Sequence, residues 1–120
     1  YFMDHVPPAF HLYMPEQPCL ALEGGSRSGG AYHSGDLAMV FGSLDKVGYD
    51  WGDEDRFVSE QMVTHWTNFA KTGNPNRSGE DAWTPFDRER LSTRVINSEP
   101  ATVDGVRKRI LEILASRQPL

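Results

Sequence analysis

The sequence is poor in three features that would each indicate a class of protein. It has a single cysteine, Cys19, so it can build neither an internal disulfide nor a multi-cysteine zinc site. It has no apolar run near the roughly 18 residues that cross a bilayer, which excludes a transmembrane helix. It has no excess of positive charge, because its net charge of −5 repels phosphates and argues against nucleic-acid binding.

The length of 120 residues is that of one small domain, so we expect residues 1–120 to belong to a single domain. The chain opens with Tyr1-Phe2-Met3 and has no initiator methionine, which indicates a strand entered part way along. We therefore expect a piece of a longer protein or the smaller product of a cleavage.

Prolines and glycines predict two irregular segments near the start. Pro7, Pro8, Pro15 and Pro18 interrupt regular hydrogen bonding, so residues 7–23 are expected to form a loop. Residues 24–30 have the glycine and serine content of a linker, and a phosphate-binding role would need a following lysine.

Apolar spacing predicts three helices. The first places Leu37, Val40, Phe41 and Leu44 on one buried face, with Ser34 as its cap and Asp36 in its first turn. Gly42 and Ser43 indicate that this helix is short and ends soon after them. The second begins near residues 53–55 and ends at Gly73, and its apolar stripe consists of Val58, Met62, Trp66 and Phe69. The third carries apolar residues Val103, Val106, Ile110, Ile113 and Leu114, with the basic residues 107–109 on its solvated side.

One strand is predicted between residues 91 and 97, centred on Val95 and Ile96. Asn76 opens a glycosylation sequon, a triplet that often arises by chance.

Four histidines are candidates for proton transfer near neutral pH. His5, His11 and His65 have no matched partner in the sequence, and we expect them to be structural. His33 differs because it lies between a glycine-rich loop and a helix, where its ring can project into a cleft.

Residues 30–44 resemble the segment around the catalytic histidine of type-B carboxylesterases, the cholinesterase-like branch of the α/β-hydrolases. The shared pattern is a glycine, two residues, His33, an acidic residue at Asp36, and Val-Phe-Gly. Residues 66–76, 83–86 and 96–100 resemble later segments of that family in the same order. Residues 7–30 show no such likeness.

The resemblance implies an α/β fold, specifically the C-terminal part of an α/β-hydrolase with one or two edge strands and three helices. It implies that His33 is the general base of a Ser-His-acid triad, with Asp36 and Ser34 supporting it from behind. Trp66 and Phe69 are expected to be core residues. No cofactor or metal is expected, the substrate is a small carboxylic ester, and secretion or a periplasmic location is favoured.

No Gly-x-Ser-x-Gly occurs in the sequence, so the nucleophile, the acid and the oxyanion hole are expected in the upstream portion of the same enzyme. The 120 residues alone are then inactive. One alternative is a segment of a non-catalytic cholinesterase-like domain that serves adhesion or binding. Another is a free-standing binding domain, which unpaired strand edges argue against.

Overall fold

The structure, a computed structural model, describes residues 1–8, 25, 27–77 and 82–117. The predictions for His11, for Cys19 and for the loop between residues 9 and 23 lie outside the described residues. None of the helices in the described ranges is long and apolar enough to span a bilayer.

Three short strands form one sheet in the order β1 (Phe2–Met3), β2 (Thr93–Ile96) and β3 (Ala101–Val103). β1 is parallel to β2, with Phe2 opposite Val95, and β3 is antiparallel to β2. Parallel neighbours need a crossover connection, and here that connection contains the whole segment around His33 and the long helix that follows.

β2 confirms the strand predicted between residues 91 and 97, whereas β3 was not predicted and the assignment of Val103 to the last helix is wrong. The side chain of Asn97 accepts a hydrogen bond from the amide of Glu99 at 2.9 Å, within the turn that brings β3 back beside β2. Gly105, with φ of +71°, then separates β3 from the last helix.

The first helix is short, as predicted, and it ends before Gly42. α1 spans Leu37–Val40, and a separate 3₁₀ turn spans Leu44–Lys46. Gly42 lies between them with φ of +59°, a left-handed conformation that ends the helix after one turn. The predicted buried face is confirmed at Leu44, which is buried, but is wrong at Phe41, which is 77% exposed. Met39, outside the predicted stripe, is fully buried.

α2 spans Asp53–Thr72 and confirms the second predicted helix. Gly73 has φ of +74° and donates its N–H to the carbonyl of Phe69 at 2.8 Å, which ends the helix as predicted. Val58 and Met62 are fully buried, but Phe69 is 60% exposed, so the expectation that Phe69 is a core residue is wrong. Phe69 lies in the last turn of α2, beyond the part that packs on α1.

One apolar cluster joins α1, α2 and β2. The hydroxyl of Ser59 on α2 also donates to the carbonyl of Met39 on α1 at 2.9 Å, which fixes the two helices to each other. The buried members of the cluster are Met39, Leu44, Val58, Met62 and Ile96.

α3 spans Lys108–Ala115, and none of its residues is buried. The basic residues 107–109 are exposed, as predicted, but the apolar side is exposed too. Its exposed apolar residues are Ile110, Leu111, Ile113 and Leu114. The described residues thus form three α-helices, as predicted, and a sheet of three strands where one or two were predicted.

Candidate active site

His33 opens a tight turn, residues 33–36, that directly precedes α1. The N–H of Gly35 donates to the carbonyl of Tyr32 at 3.1 Å, and Ser34 adopts φ of +64°. A positive φ is uncommon for a residue with a Cβ and here marks a sharp change of chain direction. His33 itself is exposed on this turn, where a group from another part of a protein can reach it.

Asp36, at the end of the turn, contacts Tyr1, the residue before β1. Its Oδ2 accepts a hydrogen bond from the hydroxyl of Tyr1 at 2.6 Å. Burial, the hydrogen bond to Asp36 and the negative charge of that carboxylate together raise the pKa of Tyr1 to about 12. The carboxylate of Asp36 therefore stabilises the turn from the side of β1.

Ser34 contacts the backbone of the preceding residue. Its hydroxyl donates to the carbonyl of His33 at 2.5 Å. The prediction that Ser34 caps α1 is wrong, because Asp36 occupies the N-cap position and the helix has no side-chain cap hydrogen bond. Ser34 lies two residues too early for that role.

The surroundings of the His33 ring are open. Among the described residues, none forms a hydrogen bond or ion pair with the imidazole, and no group of three or more potential metal ligands is present. A hollow of about 230 Å³ adjoins the turn and is lined by aromatic and apolar side chains that include Tyr32, Leu37 and Phe41. The described part of the chain thus presents a histidine without a nucleophile or an acid beside it.

Behind the turn lies a buried ionic cluster, which we call the Asp55 cluster and which consists of Asp55, His5 and Arg27. The carboxylate of Asp55 is fully buried in the first turn of α2. Nε2 of His5 donates to its Oδ1 at 2.6 Å, and Arg27 binds both carboxylate oxygens, at 3.0 and 2.5 Å. The N–H of Gly52 donates to Oδ2 at 2.8 Å. Together these hydrogen bonds offset the cost of burying the carboxylate charge.

These contacts shift two pKa values in the direction that favours the ion pair. Burial raises the pKa of Asp55, but the hydrogen bonds from Arg27, His5 and Gly52 and the charge of Arg27 outweigh it, so the pKa lies below its usual value. The hydrogen bond to Asp55 raises the pKa of Arg27. Both groups therefore remain charged at neutral pH.

Sequence reasoning missed this cluster. It treated Asp55 only as an acidic residue at a helix start and residues 24–30 only as a linker-like loop. The expectation that His5 is structural is confirmed, since the buried ring binds Asp55. No local pattern marks the cluster, because its members lie 50 and 28 residues from Asp55.

The other end of α2 packs against aromatic rings. The ring centroid of Trp66 lies 4.9 Å from that of Tyr1 and 5.8 Å from that of Trp83. The ring centroid of His65 lies 5.6 Å from that of Trp83. Nδ1 of the buried His65 donates to the carbonyl of Pro75 at 2.9 Å, which confirms a structural role for this histidine. A groove of about 510 Å³ with apolar walls opens beside these rings.

Asn76, the first residue of the sequon, attaches the segment after α2 to Trp83. Its Oδ1 accepts the N–H of Trp83 at 2.6 Å, and its Nδ2 donates to the carbonyl of Trp83 at 3.1 Å and to Asn74 at 3.0 Å. Both hydrogens of Nδ2 are in use. A glycan on this nitrogen would replace one of them and break one of these bonds.

A model of the carboxylesterase family matches residues 1–113 of this chain. The pyrethroid hydrolase Ces2a of Mus musculus is 31% identical over 90 residues, which are 74% of this chain and 16% of the mouse protein. The bile salt-activated lipase of Homo sapiens is 42% identical over 64 residues, which are 50% of this chain and 8% of the human protein. The chain thus spans 16% or less of the length of these curated relatives.

Two solved structures share the architecture. A PNB esterase is 29% identical with a TM-score of 0.61, covering 71% of this chain and 17% of its own. A thermophilic PNB esterase is also 29% identical, with a TM-score of 0.63, covering 71% of this chain and 18% of its own. The prediction of an incomplete α/β-hydrolase fold is confirmed by these neighbours.

Proposed function

Because this chain belongs to the carboxylesterase family, we propose that it supplies the catalytic base of a serine hydrolase that cleaves small carboxylic esters, with His33 in that role. The observation that carries the proposal is the place of His33: an exposed ring on a turn whose backbone is fixed from both sides. A general base needs this combination of access and fixed position.

The chemistry requires two groups from outside these 120 residues. A serine hydroxyl attacks the ester carbonyl while a nitrogen of His33 takes its proton, and the imidazolium then gives that proton to the departing alkoxide. Water is activated in the same way to release the acyl group. A carboxylate on the other ring nitrogen maintains the tautomer and stabilises the imidazolium.

Asp36 and Ser34 support the base without touching the substrate. Asp36 binds the hydroxyl of Tyr1, and Ser34 binds the carbonyl of His33, so each fixes the backbone of the turn. Removing either bond is expected to lower the rate far less than removing the ring, because the turn retains its other contacts.

The uncovered apolar surface supports a larger hydrolase domain as the partner. Leu37 and Phe41 follow the helical spacing of a buried face, yet both are exposed in this chain. The apolar side of α3, residues 110–114, is exposed as well. Surfaces of this kind are normally covered, and the chain spans only about a sixth of its curated relatives.

The test uses the complete polypeptide, meaning the polypeptide that carries these 120 residues together with the remainder of the hydrolase domain. His33→Gln is expected to lower kcat for a p-nitrophenyl ester on the order of 10³-fold with the fold intact, because the exposed ring makes no hydrogen bond or ion pair with the described residues. His65→Gln is the matched control, since its amide can still donate to Pro75, and it should retain kcat.

A fluorophosphonate probe separates this proposal from a non-catalytic adhesion or binding domain. The complete polypeptide should be labelled at a serine within Gly-x-Ser-x-Gly, and His33→Gln should slow the labelling strongly. Absence of that serine, or equal labelling of variant and wild type, would contradict the catalytic assignment.

A further inference from the structure

We propose that Asp55 is a positioning residue for His33, and that the Asp55 cluster fixes the loop and turn from which the histidine reaches the substrate. This inference rests on the proposed function. It assigns to a buried carboxylate, 22 residues away along the chain, a role in the rate of ester cleavage rather than in the fold alone.

The first line of evidence is the loop before His33. Arg27 lies in the glycine-rich stretch that leads to the histidine, and a stretch of this composition has little structure of its own. Two nitrogens of Arg27 bind the two oxygens of Asp55, and one of them also donates to the carbonyl of Val6 at 2.7 Å. A planar guanidinium bound at three acceptors fixes the position and the direction of the loop.

The second line of evidence is the chain after β1. His5 donates to the same carboxylate, and Pro7, two residues later, is fully buried against the turn of His33. The approach is close: a Cβ added to Gly35 would lie 3.0 Å from Cγ of Pro7 and 3.1 Å from the carbonyl oxygen of Tyr32. A shift of His5 is thus transmitted through Pro7 to the turn by direct contact.

Asp55 is the element that joins the two routes. It lies on α2, the longest rigid element of the described chain, and α2 is packed on α1 through the buried core. Asp55 therefore attaches the loop before the turn and the strand exit behind the turn to one helix. The groups that bind the carboxylate are the guanidinium of Arg27 and the ring of His5, and the acidic residues Glu54 and Asp50 are close enough to act on Arg27.

The experiment is a double-mutant cycle on kcat in the complete polypeptide. Arg27→Gln removes the charge and the bidentate contact at a side chain that is 43% exposed, so the fold tolerates it better than a change at Asp55. We expect kcat for a p-nitrophenyl ester to fall on the order of 10- to 100-fold, with KM within about twofold, because a misplaced base affects the chemical step. Arg27→Lys should recover part of the loss.

The second arm of the cycle is Asp55→Asn. If Arg27 acts through Asp55, the double variant should be no slower than the slower single variant, whereas independent effects would multiply. Asp53→Asn, in the same first turn of α2 but exposed, and Asp45→Asn, in an exposed ion pair with Arg56, are the matched controls and should retain wild-type kcat.

Hydrogen exchange supplies a readout that does not depend on activity. Amides of residues 28–36 should exchange faster in Arg27→Gln, while those of residues 62–72 should match the wild type. Wild-type kcat in Arg27→Gln, or multiplicative losses in the double variant, would overturn the positioning role. Wild-type activity in His33→Gln would instead overturn the proposed function and this inference with it, so the two failures are distinct.

Discussion

The two ends of α2 are attached to the rest of the chain by different chemistry. At its first turn, Asp55 is bound by charged and ring donors from His5 and Arg27. At its last turns, Trp66 and His65 pack edge-on against aromatic rings, and Nδ1 of His65 binds the carbonyl of Pro75. One helix thus connects an ionic attachment near the candidate active site with an aromatic attachment farther along the chain.

This difference teaches that the first turn of α2 depends on a buried carboxylate, which acid can neutralise. A buried ion pair loses its strength once either partner is neutralised, and the buried partner left behind is costly. The packing of Trp66 against Tyr1 and Trp83 involves no buried carboxylate. Acid should therefore loosen α2 from its first turn.

The largest expected effect is at the ionic end. Asp55→Asn should lower the free energy of unfolding near neutral pH by about 3 kcal/mol, the low end of the range for breaking a buried pair, because the freed Arg27 can be rehydrated. The folded pKa of Asp55 lies below its ordinary value of 3.8, so its contribution is complete above that value and is lost as pH falls through the lowered pKa.

Urea unfolding of the complete polypeptide, followed by tryptophan fluorescence from neutral pH into acid, measures this difference. The difference in the free energy of unfolding between wild type and Asp55→Asn should become smaller as pH falls. Asp53→Asn loses only an exposed charge at the helix start, worth about 0.3–1 kcal/mol, and serves as control. A gap of constant size across the acid range would contradict the ionic description.

A smaller loss in the free energy of unfolding is expected at the aromatic end of α2. Asn76→Ala removes the side chain that binds both the N–H and the carbonyl of Trp83, and leaving these groups unsatisfied costs about 1–2 kcal/mol. Asn76→Asp keeps the acceptor for the N–H and should cost less. Hydrogen exchange should show faster exchange in residues 66–77, with residues 53–58 unchanged. Equal acceleration at both ends would mean that α2 opens as one unit.

The sequence predicted what depends on neighbours along the chain and missed what depends on distant ones. The limits of α2 followed from Gly73 and the acidic start, both local signals. The burial of Met39 and the partners of Asp55 depend on packing between distant segments. Spacing alone also could not show that Phe41 and Phe69 remain exposed in this chain.

The candidate site divides along the same line. The position of His33 between a loop and a helix was readable because turn and helix signals are short-range. The partner of Asp36 was not readable, because the hydroxyl of Tyr1 that binds it lies 35 residues away along the chain. The Arg27 contacts were hidden in a stretch whose composition indicates only a linker.

The smallest expected effect on the free energy of unfolding concerns Tyr1. Its ring touches Trp66 and its hydroxyl binds Asp36, so Tyr1 joins the aromatic end of α2 to the turn of His33. Tyr1→Phe should cost about 1 kcal/mol or less, since one partly exposed hydrogen bond is lost and the ring stays. Because the pKa of Tyr1 is raised from 10.0 to about 12, the bond's contribution is complete below pH 10 and is lost as pH rises towards 12. The free energy of unfolding of the wild type should therefore approach that of the variant only in strong alkali.

Hydrogen exchange gives a second measurement for Tyr1→Phe. The amides of residues 33–36 should exchange faster in the variant at neutral pH. If they do not, the turn is fixed by the Asp55 cluster alone, which would make the ionic end sufficient for positioning His33.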